Sequence, residues 1–128
     1  MPPRTEGWAA VHAELARVVE QGLAENARLI RASSLDDGWQ VVRQRGELIR
    51  EVMTRLVEDA LVASPPKGEF AIHLLGGSGR GEACPDSDVD LGVIVENLEE
   101  EEPFLAALRF RLKEFSATLP GVQAELKA

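Results

Sequence analysis

Two aspartates stand two positions apart in the stretch HLLGGSGRGEACPDSDVDLGVIV, residues 73–95, with a run of glycines a few positions ahead of them. Successive side chains of a strand point to opposite faces, so on a strand Asp88 and Asp90 share one face, about 6.5–7 Å apart along the backbone. Carboxylates held that close repel each other unless one is protonated or a cation lies between them. The spacing suits one or two hard cations. Upstream, Gly76, Gly77, Ser78 and Gly79 allow a tight backbone turn that presents N–H groups to an anion, with no Cβ on the glycines to obstruct it. Arg80 adds a planar guanidinium suited to phosphate oxygens, although a salt bridge to Glu82 or Asp86 accounts for it equally well. A polyphosphate cradle beside a metal pair is what metal-assisted in-line phosphoryl or nucleotidyl transfer requires. The plainer reading of Asp86, Ser87, Asp88 and Asp90 is an exposed turn entering a strand, and the glycine-arginine context weighs against it.

Three other motifs fail on spacing. A dinucleotide fingerprint would need glycine at position 82 after Gly77 and Gly79, where Glu82 stands. A phosphate-binding loop of the Gly-Lys-Ser/Thr kind has no such ending here. DSDVDLG begins like a calcium loop, but Leu91 takes the place of the glycine at the sharp turn and Asn97 replaces the closing bidentate glutamate.

The elements that must position these residues can be read from hydrophobic period. From about Gly7 to Arg31, apolar residues including Val11, Leu15, Val18, Val19, Leu23 and Ile30 recur at three- and four-residue intervals, which marks an amphipathic helix. Ser34 with Asp37 three residues on forms a capping-box arrangement that opens a second helix. That helix runs through Val42, Leu48, Ile49, Val52, Met53, Leu56 and Leu61, with Gly46 as its weak point. SPPKGE ends it. The product is a helical hairpin over residues 1–66.

Residues 67–128 change period. FAIHLLG, residues 70–76, reads as a buried strand, and DVDLGVIV, residues 88–95, as a second. A helix is expected from about Pro103 to Thr118, with Pro103 in its first turn, and VQAELKA alternates like a short third strand. The fold class is α+β: a helical hairpin, then a small mixed sheet packed on helices. The two parts form one compact unit or belong to a longer protein. Trp8 and Trp39 fit the helix cores better than a base-stacking platform, since no basic residues interleave with them. His73 reads as a packed or hydrogen-bonded strand residue, Cys84 as an inert loop residue, and Glu99 to Glu102 as a solvated turn that favours the following helix start.

Composition narrows the function classes. The chain has 128 residues, a normal single-domain length, and a formal net charge of −8. From residue 61 onward 12 acidic side chains face 6 basic ones, a surface that repels a nucleic-acid backbone unless cations intervene, so nonspecific nucleic-acid binding is not expected. No apolar run approaches the roughly 20 residues of a membrane span and no export signal opens the chain, which makes the cytoplasm the expected address. One cysteine excludes an internal disulfide.

GGSGRGEACPDSDVDLGVIV resembles the signature of the DNA polymerase β type nucleotidyltransferase superfamily, a Gly-Ser or Gly-Gly turn ahead of a strand bearing Asp-x-Asp. GRGE and SDVDL are most similar to PII-protein uridylyltransferases and to related nucleotidyltransferases attached to CBS or cyclic-nucleotide-binding domains, whose catalytic strand also follows a helical segment. The signature covers about 20 residues. The resemblance implies magnesium-dependent transfer of a nucleoside monophosphate from a nucleoside triphosphate, with two Mg2+ ions, or Mn2+ in their place. It implies Asp88 and Asp90 as metal ligands, Gly77 and Ser78 on the β and γ phosphates within the loop of Gly76 and Gly79, Arg80 nearby, and Glu82 setting the loop. Glu125 is the only match for the family's third carboxylate, which completes the metal site and helps deprotonate the acceptor, and it departs from the usual aspartate. By this analogy the acceptor is a protein side chain or a small molecule, further domains or a homo-oligomer are expected, and the setting is signal transduction. The alternative is a regulatory module that binds nucleotide and metal but no longer catalyses.

Overall fold

The computed structural model describes residues 4–5, 7–32, 38–74, 89–118 and 124–127. Two long helices come first, α1 (Trp8–Ala32) and α2 (Gly38–Ala63). Trp8, Leu15 and Val19 of α1 are buried and meet a stripe on α2 that includes Leu48, Ile49, Val52 and Leu56, the three- and four-residue spacing that lays apolar side chains on one helix face. α2 runs unbroken through Gly46. At its other end the hairpin is fastened by polar groups. The Asn26 amide, buried, donates to the Val41 carbonyl at 2.9 Å and to Gln44 Oε1 at 2.7 Å, and Gln44 Nε2 returns a bond to the Gly22 carbonyl at 3.2 Å.

The other elements are β1 (Phe70–Leu74), β2 (Val89–Val95), α3 (Glu102–Thr118) and β3 (Ala124–Lys127). They form a three-stranded sheet in the order β1-β2-β3, with β1 antiparallel to β2 and β2 parallel to β3. Parallel neighbours need a crossover rather than a tight turn, and α3 supplies it. This is the α+β architecture of a helical N-terminus followed by strands and a helix. One apolar core joins the two parts: Phe104, Leu105, Leu108 and Phe115 of α3 pack with Leu91 and Val93 of β2 and with the buried stripes of α1 and α2.

Arg111 of α3 ties these elements together. Its side chain is 0% exposed, with Nε donating to Asp59 Oδ2 of α2 at 2.7 Å and one terminal nitrogen donating to the Arg4 carbonyl at 2.7 Å and the Ala107 carbonyl at 3.0 Å. The guanidinium carbon lies 5.6 Å from the centre of the Trp8 ring, within cation–π range. Trp8 is therefore a core residue, as its place in the pattern suggests.

Four expectations need correction or fall outside the description. Trp39 is 54% exposed, not in the core, because it lies two residues from buried Val41 and so about 200° around the helix. β1 is a half-exposed edge strand rather than a buried one: Ile72 and Leu74 pack on the core, while Ala71 and His73 face out and Phe70 is 39% exposed. The Glu99 to Glu102 run is not wholly solvated, since Glu101 is 2% exposed and its Oε1 accepts the backbone N–H of Lys67 at 2.8 Å. The linker N–H finds its acceptor in this carboxylate. Ser34 and Asp37, read as the cap of α2, lie outside the described residues.

Candidate functional site

Alternation along β2 separates two sets of positions. Leu91 and Val93 are buried against the helices and Val95 is partly so, whereas Ile94 is 62% exposed on the opposite face. Position 90 has the parity of Gly92 and Ile94, the positions away from the helical core. The parallel register pairs Val89 with Ala124, Asp90 with Glu125 and Leu91 with Leu126. Adjacent strands lie about 4.8 Å apart, so two carboxylate-bearing residues stand side by side on neighbouring strands at the start of β2. The sequence places Glu125 on a third strand but cannot give its partner, because α3 and its connections set the register.

The same sheet face carries a contact that sequence reading missed. His73 of β1 is the register partner of Gly92, and its imidazole occupies the space where a side chain at 92 would begin: a Cβ built there would lie 2.6 Å from His73 Nε2. A glycine inside a strand is the signal for such a close approach. His73 is thus packed, as expected, but against backbone on the exposed face of an edge strand and two positions along the ladder from Asp90.

Asp88, Gly76, Gly77, Ser78, Gly79, Arg80, Glu82 and Cys84 lie outside the described residues. Their flanks are described: β1 ends at Leu74, two residues before Gly76, and β2 begins at Val89, directly after Asp88. Antiparallel pairing of Leu74 with Leu91 brings these two ends together. Residues 75–88, which carry the glycines and Asp88, join these two neighbouring strand ends in sequence. Among the described residues, no group of three His, Cys, Asp or Glu side chains is placed to hold a metal ion.

On the helical side of the sheet, at this end of β1 and β2, a cleft of about 420 Å3 separates α2 from the two strands. The carboxyl of Glu14, held below its ordinary value of 4.5 chiefly by a hydrogen bond from Arg55 and then by that guanidinium's charge, belongs instead to the hairpin surface, where the pair sits at 2.8 Å. It has no part in the site. Among the described residues no helix is long and apolar enough to cross a membrane.

No curated protein and no solved structure matches the chain. Residues 13–121 match one family model, described as Putative nucleotidyltransferase DUF294. The matched span takes in the glycine turn, both aspartates, most of α1 and all of α2, β1, β2 and α3, and stops short of β3 and Glu125. With most of its length covered, including the turn and the Asp-bearing strand from which the chemistry was read, the chain belongs to this nucleotidyltransferase family.

Proposed function

We propose that this protein is a magnesium-dependent nucleotidyltransferase that moves a nucleoside monophosphate from a nucleoside triphosphate to a hydroxyl on a protein or a small molecule. The observation that supports it best is the register that sets Asp90 beside Glu125 on adjacent parallel strands, in a chain of a nucleotidyltransferase family. The donor set fits the ion: Asp88, Asp90 and Glu125 offer only carboxylate oxygens, the ligands of hard cations such as Mg2+ and Mn2+. Such ions, when bound, offset the charge that develops on the attacking and departing oxygens.

The chain's own residues do the rest. The turn at Gly76, Gly77, Ser78 and Gly79 holds the β and γ phosphates through backbone N–H groups, with Arg80 alongside and Glu82 steadying the loop. The acceptor oxygen bonds to the α phosphorus as the bond from that phosphorus to the bridging oxygen breaks, and pyrophosphate leaves with the electron pair. Glu125 takes the hydroxyl proton. The likeness of GRGE and SDVDL to uridylyltransferases supports uridylyl or adenylyl transfer in signalling, with a protein or a small molecule as acceptor.

A second reading has its own support. Glu125 is one methylene longer than an aspartate and lies past the matched span, which favours a module that binds nucleotide and metal without turnover. Labelled nucleoside triphosphates, magnesium and candidate acceptors separate the two. Pyrophosphate release that disappears in Asp88→Asn, with the thermal unfolding midpoint unchanged, is the enzyme's result. Stable nucleotide binding with no pyrophosphate in any acceptor mixture is the module's result, and undiminished release by Asp88→Asn removes the role given to that residue.

A further inference from the structure

We propose that β1 is a dimer interface: a second copy of this chain adds its own β1 antiparallel to the first across a two-fold axis, joining two sheets into one of six strands. The inference goes beyond the nucleotidyltransferase reading and does not depend on it. β1 stands at the edge of the sheet, so alternate backbone N–H and C=O groups point away from β2, and among the described residues no strand takes them up. Native edges are blunted by proline, charge or a bulge. FAIHL has no proline, lysine, arginine or acid, and its ladder with β2 runs from Phe70 to Leu74 without a bulge.

Self-complementarity selects a second copy as the occupant, first through shape. A two-fold axis at Ile72 uses the whole strand, setting Phe70 opposite the partner subunit's Leu74 and Ala71 opposite the partner subunit's His73. Phe70 has the parity of Ile72 and Leu74, the helical side, and is 39% exposed even with its ring centre 5.6 Å from that of Phe104. Ile72 and Leu74 line the cleft of about 420 Å3 together with Met53 and Val57 of α2. The pairing therefore brings the exposed part of each Phe70 to the other copy's cleft, an apolar ring against apolar walls.

Charge gives the second match. Arg50, Thr54 and Glu58 line the same cleft from α2, are exposed, and stand four residues apart, so they form one row about 12 Å long on a single helix face. The row has a base at one end, a neutral hydroxyl in the middle and an acid at the other end. A two-fold axis beside Thr54 reverses it, bringing Arg50 to the partner subunit's Glu58 and Glu58 to the partner subunit's Arg50. A patch that complements itself in this way is what an isologous interface requires, whereas an unrelated extended peptide would answer the strand edge alone.

The test is sedimentation equilibrium of the full chain across a dilution series, with amide hydrogen exchange of β1 followed at both ends of the series. Wild type should pass from monomer to dimer as concentration rises, and the outward amides of β1 should exchange more slowly in the dimer. Glu58→Arg sets like charges together in both symmetry-related pairs and should raise the dissociation constant by about tenfold or more. Its unfolding midpoint should stay at the wild-type value, because the position is exposed. Arg50→Glu combined with Glu58→Arg reverses the row, restores the match and should return the constant to within about threefold of wild type. A wild-type chain that stays monomeric at about 1 mM overturns the proposal. So does a dimer indifferent to Glu58→Arg, or one whose β1 amides exchange as they do in the monomer. Each of these results leaves the nucleotidyltransferase reading untouched.

Discussion

The two faces of β2 serve different ends. On the side of Leu91 and Val93 the side chains pack in the apolar core and are shut from water, with Val95 partly so. On the side of Gly92 and Ile94 the strand meets an imidazole and solvent, and position 90, with Glu125 as its register partner, shares that parity. A strand reads out both roles because its side chains alternate, so residues one apart can differ completely in what they cost when changed. The helical side decides whether the chain folds, and the open side carries the residues of the proposed site.

The helical side should break hardest at Arg111. Removing a fully buried guanidinium strips Asp59, the Arg4 carbonyl and the Trp8 ring of their partner. Arg111→Ala is expected to lower stability by about 3–5 kcal/mol, the usual result when one member of a buried pair is deleted. Urea unfolding followed by circular dichroism measures it, and a loss below about 1 kcal/mol would mean the pair is not buried as described.

Two glycines sharpen the same contrast at smaller scale. A Cβ at Gly22 of α1 would lie 2.5 Å from Leu48 Cδ2, inside the hairpin core, where the leucine is hemmed in. A Cβ at Gly92 would meet His73 just as closely, but that imidazole stands on the exposed face of an edge strand and can swing away. Gly22→Ala is therefore expected to destabilise by about 1–2 kcal/mol, overpacking outweighing the better helix propensity of alanine. Gly92→Ala should stay within about 1 kcal/mol of wild type, since relief of the glycine's entropy cost offsets the movement of His73. Equal losses in the two variants would show that the open face is packed as tightly as the core.

Helix extents were legible because their signal is local. The apolar spacing gives a helix from about Gly7 to Arg31 and another from about Pro103 to Thr118, and the structure has Trp8–Ala32 and Glu102–Thr118. What the sequence did not yield depends on distant partners. Nothing near FAIHL says that β1 lies at an edge, nothing near Arg111 points to Asp59 or to the carbonyl of Arg4, and nothing in AELK fixes Glu125 opposite Asp90. Of the candidate site, residue types and order came from local motif, while the pairing of acids on neighbouring strands came only with the register.

The proposed function stands or falls on a divalent cation bound through Asp88, Asp90 and Glu125. Mn2+ titration of the full chain, followed by the loss of the free-ion paramagnetic resonance signal, tests it most directly when Asp90→Asn is compared with Leu91→Ala, its neighbour of opposite parity. Asp90→Asn is expected to lose Mn2+ binding and keep wild-type stability, whereas Leu91→Ala, at a cost of about 2–5 kcal/mol in stability, should still bind Mn2+ where it remains folded. Mn2+ binding by Asp90→Asn at wild-type affinity would contradict it.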